Sequence, residues 1–186
     1  MMKIFFKIRS KITNFKEKKL RPFYIKKLAK LKGGRAEFGK NIRIGKDCYF
    51  DFNHNSILII SDNVVVKDNC KIVLYPSARI AIGNNSYIGP SCEIFSRASI
   101  EIGTNVLLAQ QCILIDYNHQ YDKGGVKIDE FKTAPIEIDN NSWLGLRVVV
   151  LKGVEIGEGA IIGAQEIIRK DVPAHSLFSE GTIKNL

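Results

Sequence analysis

Few of the residues that build disulfide frameworks, metal sites or membrane spans occur in this sequence. Its 186 residues include only 4 cysteines, 3 histidines and 1 tryptophan. The apolar runs of the N-terminal segment, such as residues 4–6, reach only three residues, too few for a bilayer span or for the core of a signal peptide. We therefore expect a cytoplasmic protein, and 45% hydrophobic content over this length favours one main domain.

Acidic residues are nearly missing from the first quarter of the chain. Residues 1–46 hold 16 lysines and arginines against 2 acids, a balance of +14, whereas residues 47–186 hold 12 against 17, a balance of −5. The net charge of +9 therefore belongs to the N-terminal segment. Nucleic-acid binding would rest on this segment alone, which carries no recognised binding motif, and we exclude nucleic acid as a partner.

Residues 1–40 are interpreted as a basic arm. Apolar residues recur at helical spacing between residues 4 and 15, and Leu28 and Leu31 follow after Pro22. This spacing predicts one or two short basic amphipathic helices. Such a helix either lies on the anionic inner face of the cytoplasmic membrane or packs on the domain as a cap. The sequence leaves both alternatives open.

A period of six residues dominates the chain from residue 43 onward. Large aliphatic residues recur at every sixth position, and apolar or small residues follow them four positions later, which gives two interleaved inward rows. Three such hexads make one coil. The coils begin near residues 44, 60, 82, 102, 138 and 156. The large aliphatic row of the last third consists of Ile138, Leu144, Val150, Ile156, Ile162 and Ile168.

Glycines and cysteines keep fixed positions within the hexads. Seven glycines directly follow the large aliphatic residue, where we expect a corner with unusual φ. They are Gly45, Gly83, Gly89, Gly103, Gly145, Gly157 and Gly163. The cysteines lie four residues after the aliphatic residue, so we expect them to point inward as small apolar groups, with no disulfide or zinc site. They are Cys48, Cys70, Cys92 and Cys112.

Hexads with these two inward rows resemble the hexapeptide-repeat superfamily of left-handed β-helix proteins. The resemblance covers residues 42–173 and implies an all-β fold, a left-handed parallel β-helix of about six three-hexad coils. The handedness comes from the resemblance, because parallel crossovers in other folds are nearly always right-handed. We accordingly predict three parts: the arm at residues 1–40, the β-helix domain at residues 41–173 and a C-terminal tail at residues 174–186.

One long protruding loop interrupts the hexads at residues 115–135. An excursion of this length is usually functional, and the flat faces of a β-helix offer no comparable projection. The loop contains the segment DYNH, with Asp116, Asn118 and His119, and returns to the hexads through the segment API. We expect Asp116 or Asp122 to accept a hydrogen bond from the imidazole and so fix its tautomer.

This loop, the API return and the SWLG hexad after it resemble the sugar O-acetyltransferases of polysaccharide biosynthesis. The resemblance implies transfer of an acetyl group from acetyl-CoA to a hydroxyl of a sugar or glycan precursor, without a metal. It implies that His119 is the catalytic base, with Asp116 and Asn118 in the same site. One base suffices because the attacking hydroxyl must lose a proton while the thiolate leaves readily. Family members bind coenzyme A between the subunits of a homotrimer, and we expect the same here.

Six positions match the segments that bind coenzyme A in that family. They are Trp143, Gly145, Gly163, Ala164, Arg169 and Lys170. The last two are suited to the phosphates of the cofactor. The chain departs from the family where Leu146 and Glu166 replace small residues and where the tail lacks the usual ending. An inward Glu166 needs a partner, because an unpaired buried carboxylate is costly.

Other members of the fold remain as alternatives. Amino-sugar N-acetylation is the second interpretation, an antibiotic-modifying acetyltransferase is the third, and a non-catalytic hexapeptide scaffold is the fourth. The zinc-dependent carbonic anhydrase of this fold is excluded, because it needs three histidine ligands from neighbouring subunits and the loop offers only His119.

Overall fold

The computed structural model describes the backbone of residues 15–186 and the side chains from residue 21 onward. The apolar side chains expected at helical spacing between residues 4 and 15 lie outside the described side chains. Helix α1 (Phe15–Leu31) contains Pro22 and packs on the first coil. Ile25 and Ala29 are buried in the core, and the Arg21 guanidinium donates a hydrogen bond to the backbone oxygen of Ile44 at 2.5 Å. The described part of the arm is therefore a cap on the domain.

Three parallel sheets form the three faces of a solenoid, and one strand from each sheet makes a coil. Sheet A contains β1 (Arg35–Phe38), β4 (Ile57–Ile60), β7 (Arg79–Ile82), β10 (Ser99–Ile102), β15 (Ile136–Ile138) and β18 (Glu155–Ile156). Sheet B contains β2 (Arg43–Ile44), β5 (Val65–Val66), β8 (Tyr87–Ile88), β11 (Leu107–Leu108), β16 (Trp143–Leu144), β19 (Ile161–Ile162), β21 (Ser176–Ser179) and β22 (Thr182–Asn185). Sheet C contains β3 (Tyr49–Asp51), β6 (Lys71–Leu74), β9 (Glu93–Ser96), β12 (Ile113–Ile115), β17 (Val149–Leu151) and β20 (Ile167–Ile168).

The strand register confirms the hexads. Residues of the large aliphatic row stand opposite one another in successive coils, as in Ile60, Ile82 and Ile102 of sheet A. Their side chains are buried, so each inward residue packs against its equivalents above and below. Six complete coils result, as expected. The first begins earlier than the hexads indicate, because Phe38 of β1 pairs with Ile60.

The glycines after the aliphatic residues do not have the unusual φ that we expected, and that explanation is wrong. None of the seven has a positive φ. Their reason is close approach between coils: a Cβ on Gly83 would lie 2.5 Å from the backbone carbonyl carbon of Gly103, and one on Gly45 would lie 2.4 Å from the amide nitrogen of Asp68. Glycine is needed there because a side chain would push the next coil away.

In the first five coils, asparagines occupy the left-handed position at the corner between sheets A and B. At the corner between sheets A and B, Asn85 has φ 59°, and its side-chain amide donates to Asn105 at 3.2 Å while its oxygen accepts from Asn63 at 3.1 Å. Asparagine tolerates this backbone conformation better than most residues. The ladder along this corner consists of Asn41, Asn63, Asn85, Asn105 and Asn141.

The inward cysteines are largely confirmed. Cys70, Cys92 and Cys112 are fully buried, Cys48 is half-buried, and all four are free thiols. The Cys70 thiol donates to the backbone oxygen of Gly89 in the next coil at 3.1 Å. The row therefore links adjacent coils through hydrogen bonds from thiols to backbone oxygens, without disulfides.

The predicted tail continues sheet B. Strand β21 lies parallel to β19, and β22 turns back antiparallel to β21 at the edge of the sheet. The division at residues 40 and 173 stays a prediction, with strands on both sides of each boundary.

Candidate functional site

The loop predicted at residues 115–135 is a β-hairpin that stands apart from the three sheets. Its strands β13 (Tyr117–Asp122) and β14 (Gly125–Thr133) pair antiparallel with each other alone. The hairpin leaves the solenoid after β12 and returns at β15, so it stands where sheet C passes into sheet A, between the fourth and fifth coils. Nearly all its side chains are exposed.

Asp116 fixes the base of this hairpin. Its buried carboxylate accepts hydrogen bonds from the Ser96 hydroxyl at 2.6 Å and from the backbone N–H groups of Arg97 and Ala98 at 2.7 and 2.9 Å. Its backbone oxygen accepts a bond from the Ala134 amide at 3.0 Å. Burial raises the pKa of Asp116 above its ordinary value, and the bonds from Arg97, Ser96 and Ala98 oppose that shift. Asp116 thus ties both ends of the hairpin to the preceding coil.

His119 lies exposed on β13, three residues beyond this anchor. It pairs across the hairpin with Phe131, and the centroids of the two rings are 4.6 Å apart with their planes tilted by 43°. The pairing register shifts between His119 and Gln120, a β-bulge of the kind that changes the direction of a side chain. Asn118 is exposed opposite Lys132. The imidazole therefore rests on Phe131 with access to solvent.

Both carboxylates that we expected beside His119 bond elsewhere. Asp116 is committed to the Ser96–Ala98 corner, and Asp122 accepts the amide of Gly124 at 2.8 Å and pairs with the Lys127 ammonium at 3.3 Å. Among the described residues, neither carboxylate hydrogen-bonds the imidazole. The structure brings Asp116, Asn118 and His119 into one hairpin, but it gives Asp116 the role of an anchor.

A cluster that the sequence did not indicate lies behind His119. This Arg97 cluster consists of Arg97, Tyr75, Tyr117 and Phe131. The guanidinium carbon lies 3.5 Å from the ring centroid of Phe131, 3.7 Å from that of Tyr75 and 5.0 Å from that of Tyr117. The two tyrosine hydroxyls are 3.3 Å apart, and burial, followed by the contact with Tyr75, raises the pKa of Tyr117 to about 12. No sequence spacing relates these four positions, so only the fold reveals the cluster.

Four of the six predicted coenzyme A positions lie together at the corner between sheets B and C. Trp143 is 49% exposed and stands beside Ile161 of the next coil. A Cβ on Gly145 would lie 2.9 Å from the amide nitrogen of Ala164, and the Gly163 amide bonds to the next turn of chain. Two successive coils therefore approach each other closely at this corner, beside an exposed indole.

Arg169 and Lys170 lie at a different corner. They follow β20 at the end of sheet C in the last coil, and both are exposed. Within one chain the basic pair therefore lies at the corner between sheets C and A, from which the His119 hairpin projects two coils earlier, whereas the glycine corner lies between sheets B and C. Glu166, expected to need a partner, has one: its carboxylate accepts the backbone amide of Glu180 at 2.5 Å.

Residues 15–186 contain neither a metal-binding cluster nor a helix that could span a membrane. Among them, no group of three or more His, Cys, Asp or Glu side chains is arranged to hold a metal ion. No helix in the same range combines the length and the apolar character that crossing a membrane requires.

The sequence of this chain is similar to those of known acetyltransferases. The family model described as "Hexapeptide repeat of succinyl-transferase" matches residues 79–109 and 135–164, on either side of the hairpin. Galactoside O-acetyltransferase of Escherichia coli (strain K12) is 32% identical over 141 residues, which cover 69% of this chain and 70% of that protein. In a relative from Schizosaccharomyces pombe, 34% identical over 102 residues, the match covers 47% of that protein, so the chain spans about half its length.

Solved structures share the fold at low sequence identity. The hexapeptide-repeat acetyltransferase VCA0836 of Vibrio cholerae, complexed with acetyl coenzyme A, has a TM-score of 0.58 and 20% identity, over 98% of this chain and 81% of that one. The N-acyltransferase AntD of Bacillus cereus, with dTDP and 3-hydroxybutyryl-CoA, has a TM-score of 0.68 and 17% identity over 81% of each chain. The likeness confirms the left-handed parallel β-helix that the resemblance to the hexapeptide-repeat superfamily implies.

Proposed function

The chain belongs to the hexapeptide-repeat acetyltransferase family, and from this premise we propose that it transfers an acetyl group from acetyl-CoA to a hydroxyl of a sugar or glycan precursor of the cell surface. In this proposal His119 is the general base. The relative whose name carries the sugar O-acetyl assignment is galactoside O-acetyltransferase of Escherichia coli, whose match covers 69% of this chain.

The observation that supports His119 most directly is its setting. An exposed imidazole stands on a hairpin that a buried carboxylate and a cation held between rings fasten to a rigid solenoid. A neutral imidazole accepts the proton of an attacking hydroxyl, and such general base catalysis contributes about 10²- to 10⁴-fold to the rate. The acceptor oxygen then bonds to the acetyl carbon of the thioester, and the thiolate of coenzyme A leaves.

Coenzyme A is proposed to bind at the corner of Gly145, Gly163 and Ala164, beside Trp143. The exposed indole of Trp143 offers a flat apolar wall at this corner, where Ala164 is also exposed. Arg169 and Lys170 are proposed to meet its phosphates. The proposal needs no metal.

The proposal includes a homotrimer. One chain holds His119 and the glycine corner at different corners of the solenoid, so a second copy is needed to bring them to the same substrate. The hairpin also exposes Tyr121, Val126 and Ile128, each at least 66% exposed, which a neighbouring copy would cover.

Helix α1 supports a peripheral location at the inner face of the cytoplasmic membrane. Phe23, Tyr24 and Leu31 are exposed on it, and it carries Lys26, Lys27 and Lys30. Exposed apolar side chains among lysines suit an anionic lipid surface. We expect the protein to cosediment with anionic vesicles and not with neutral ones.

The test follows release of the thiol of coenzyme A from acetyl-CoA with a panel of neutral sugars, sugar nucleotides, amino sugars and aminoglycosides. We expect acceptor-dependent release that falls about a hundredfold or more in His119→Ala. His54→Ala is the matched control, because His54 is also exposed but lies three coils before the hairpin. The control should keep wild-type turnover.

The panel separates the alternatives. Release with amino sugars alone assigns N-acetylation, and release with aminoglycosides alone assigns antibiotic modification. Retained turnover in His119→Ala excludes this residue as the base. Absence of release with every acceptor, together with absence of acetyl-CoA binding, assigns a non-catalytic scaffold.

A further inference from the structure

The Arg97 guanidinium is held between the faces of aromatic rings. In the described chain, no acidic side chain forms an ion pair with it. The guanidinium lies against the faces of Tyr75 and Phe131, at 3.7 and 3.5 Å from their centroids. Its Nε is buried without a hydrogen-bond partner, and the ion pairs among the described residues do not include it. A guanidinium removed from water is attracted strongly to ring faces. These rings are therefore what fixes the guanidinium.

Phe131 contacts both the Arg97 guanidinium and His119. Its ring contacts the guanidinium at 3.5 Å and the imidazole at 4.6 Å, and Tyr117 meets it edge-on at 5.6 Å. Tyr75 follows β6 in the second coil and Arg97 follows β9 in the third. A continuous stack of flat groups thus runs from the rigid coils to the imidazole on the hairpin.

Little else in the described chain restrains the imidazole. Neither Asp116 nor Asp122 hydrogen-bonds it, and its strand is exposed and interrupted by a bulge. An exposed side chain exchanges rotamers freely, whereas a general base must stay within hydrogen-bond reach of the proton it removes. The restraint has to come from the ring on which the imidazole rests.

We propose that Arg97 and Phe131 are positioning residues that hold the His119 imidazole in the orientation needed for proton transfer. The proposal rests on the proposed function, in which His119 is the base. Arg97 acts through Phe131 and touches no reacting atom. The Asp116 bond to the Arg97 amide fixes the backbone from which the guanidinium reaches the rings.

Two variants test the stack, one at Arg97 and one at Phe131. Arg97→Met keeps the length of the side chain without its charge, and Phe131→Leu keeps apolar bulk without the ring. We expect kcat to fall about tenfold or more in both, with the KM for acetyl-CoA unchanged, because misplaced catalytic groups lower the rate after binding. Phe131→Tyr should restore kcat, since it restores the ring.

Histidine ring resonances provide a readout that does not depend on turnover. The chain has 3 histidines, so the His119 signal is assigned by its loss in His119→Ala. We expect the Phe131 ring current to displace this signal in the wild type, and the signal to move toward the position of an unstacked histidine in Phe131→Leu and in Arg97→Met. Arg79→Met is the matched control, because Arg79 lies on β7 and pairs with Glu101 at 2.8 Å; it should change neither the signal nor kcat.

The outcomes are distinct. The proposal is overturned if the His119 signal stays in place, if it moves without a fall in kcat, or if Arg97→Met raises only the KM for the acceptor, which would make Arg97 a substrate contact. Should Arg97→Met fail to fold, Phe131→Leu decides alone, because Phe131 lies on the exposed hairpin outside the core. Retained turnover in His119→Ala overturns the proposed function instead, whatever the resonances show.

Discussion

The coils and the hairpin of this chain are stabilised in opposite ways. In the coils, inward residues such as Ile94 and Leu108 are fully buried, and the backbone of each coil bonds to the coils above and below. The hairpin buries none of the side chains of β13 and β14 fully, and it depends on Asp116 and the Arg97 cluster at its base. Rigidity resides in the repeat, so a residue that must reach a substrate can stand on a projection with little packing of its own.

Deletion of buried volume should produce the largest difference between the two regions. Ile94→Ala removes a fully buried side chain from β9, and we expect it to lower the free energy of unfolding by about 3 kcal/mol. Lys123→Ala, at the turn of the hairpin, removes an exposed side chain and should change the free energy of unfolding by less than about 0.5 kcal/mol. Urea denaturation followed by circular dichroism measures both. Equal losses would contradict the contrast between the coils and the hairpin.

The second largest loss of stability is expected where a side chain is added between two closely spaced coils. A Cβ on Gly83 meets the backbone of the next coil at 2.5 Å, so Gly83→Ala should cost about 2 kcal/mol by separating the coils. On the hairpin, a Cβ on Gly124 meets only the end of the flexible Asp122 side chain at 3.1 Å. Gly124→Ala should therefore be nearly neutral in the same denaturation measurement. A neutral Gly83→Ala would refute the explanation of the hexad glycines by close approach.

The asparagine ladder gives the smallest effect. Asn85→Ala loses a residue that tolerates positive φ as well as its two ladder bonds, and we expect a cost of about 1.5 kcal/mol. Asn85→Gly keeps the backbone conformation and loses only the bonds, so it should cost about half as much. Thermal unfolding of the two variants separates these contributions. A larger loss in the glycine variant would contradict this assignment.

The candidate site was predictable in part. His119 was found because its segment interrupts a regular period and matches a known loop, and the structure places it on an exposed hairpin. Its surroundings were not found: Arg97 looks like an ordinary corner residue in the sequence, and Phe131 looks like one apolar residue in a polar loop. Their contact depends on how the hairpin folds back against the third coil, which local spacing does not encode.

The role of Asp116 illustrates the same point. Its place in the DYNH segment indicated a partner for the imidazole, whereas burial beside the Ser96–Ala98 corner gives its carboxylate three other donors. A buried carboxylate takes the donors that the fold supplies, because leaving it unpaired is costly. Sequence proximity to His119 did not decide its bonds.

The sequence by itself determined the coils, their register and the interruption, because a six-residue period leaves only one way to bury every aliphatic row at once. Only the tertiary structure shows why glycine follows those rows and which residues adopt the left-handed conformation at the corners. It also shows which side chains contact His119. These depend on the distance between neighbouring coils and on contacts among Tyr75, Arg97 and Phe131, which become neighbours only after the chain has wound past itself.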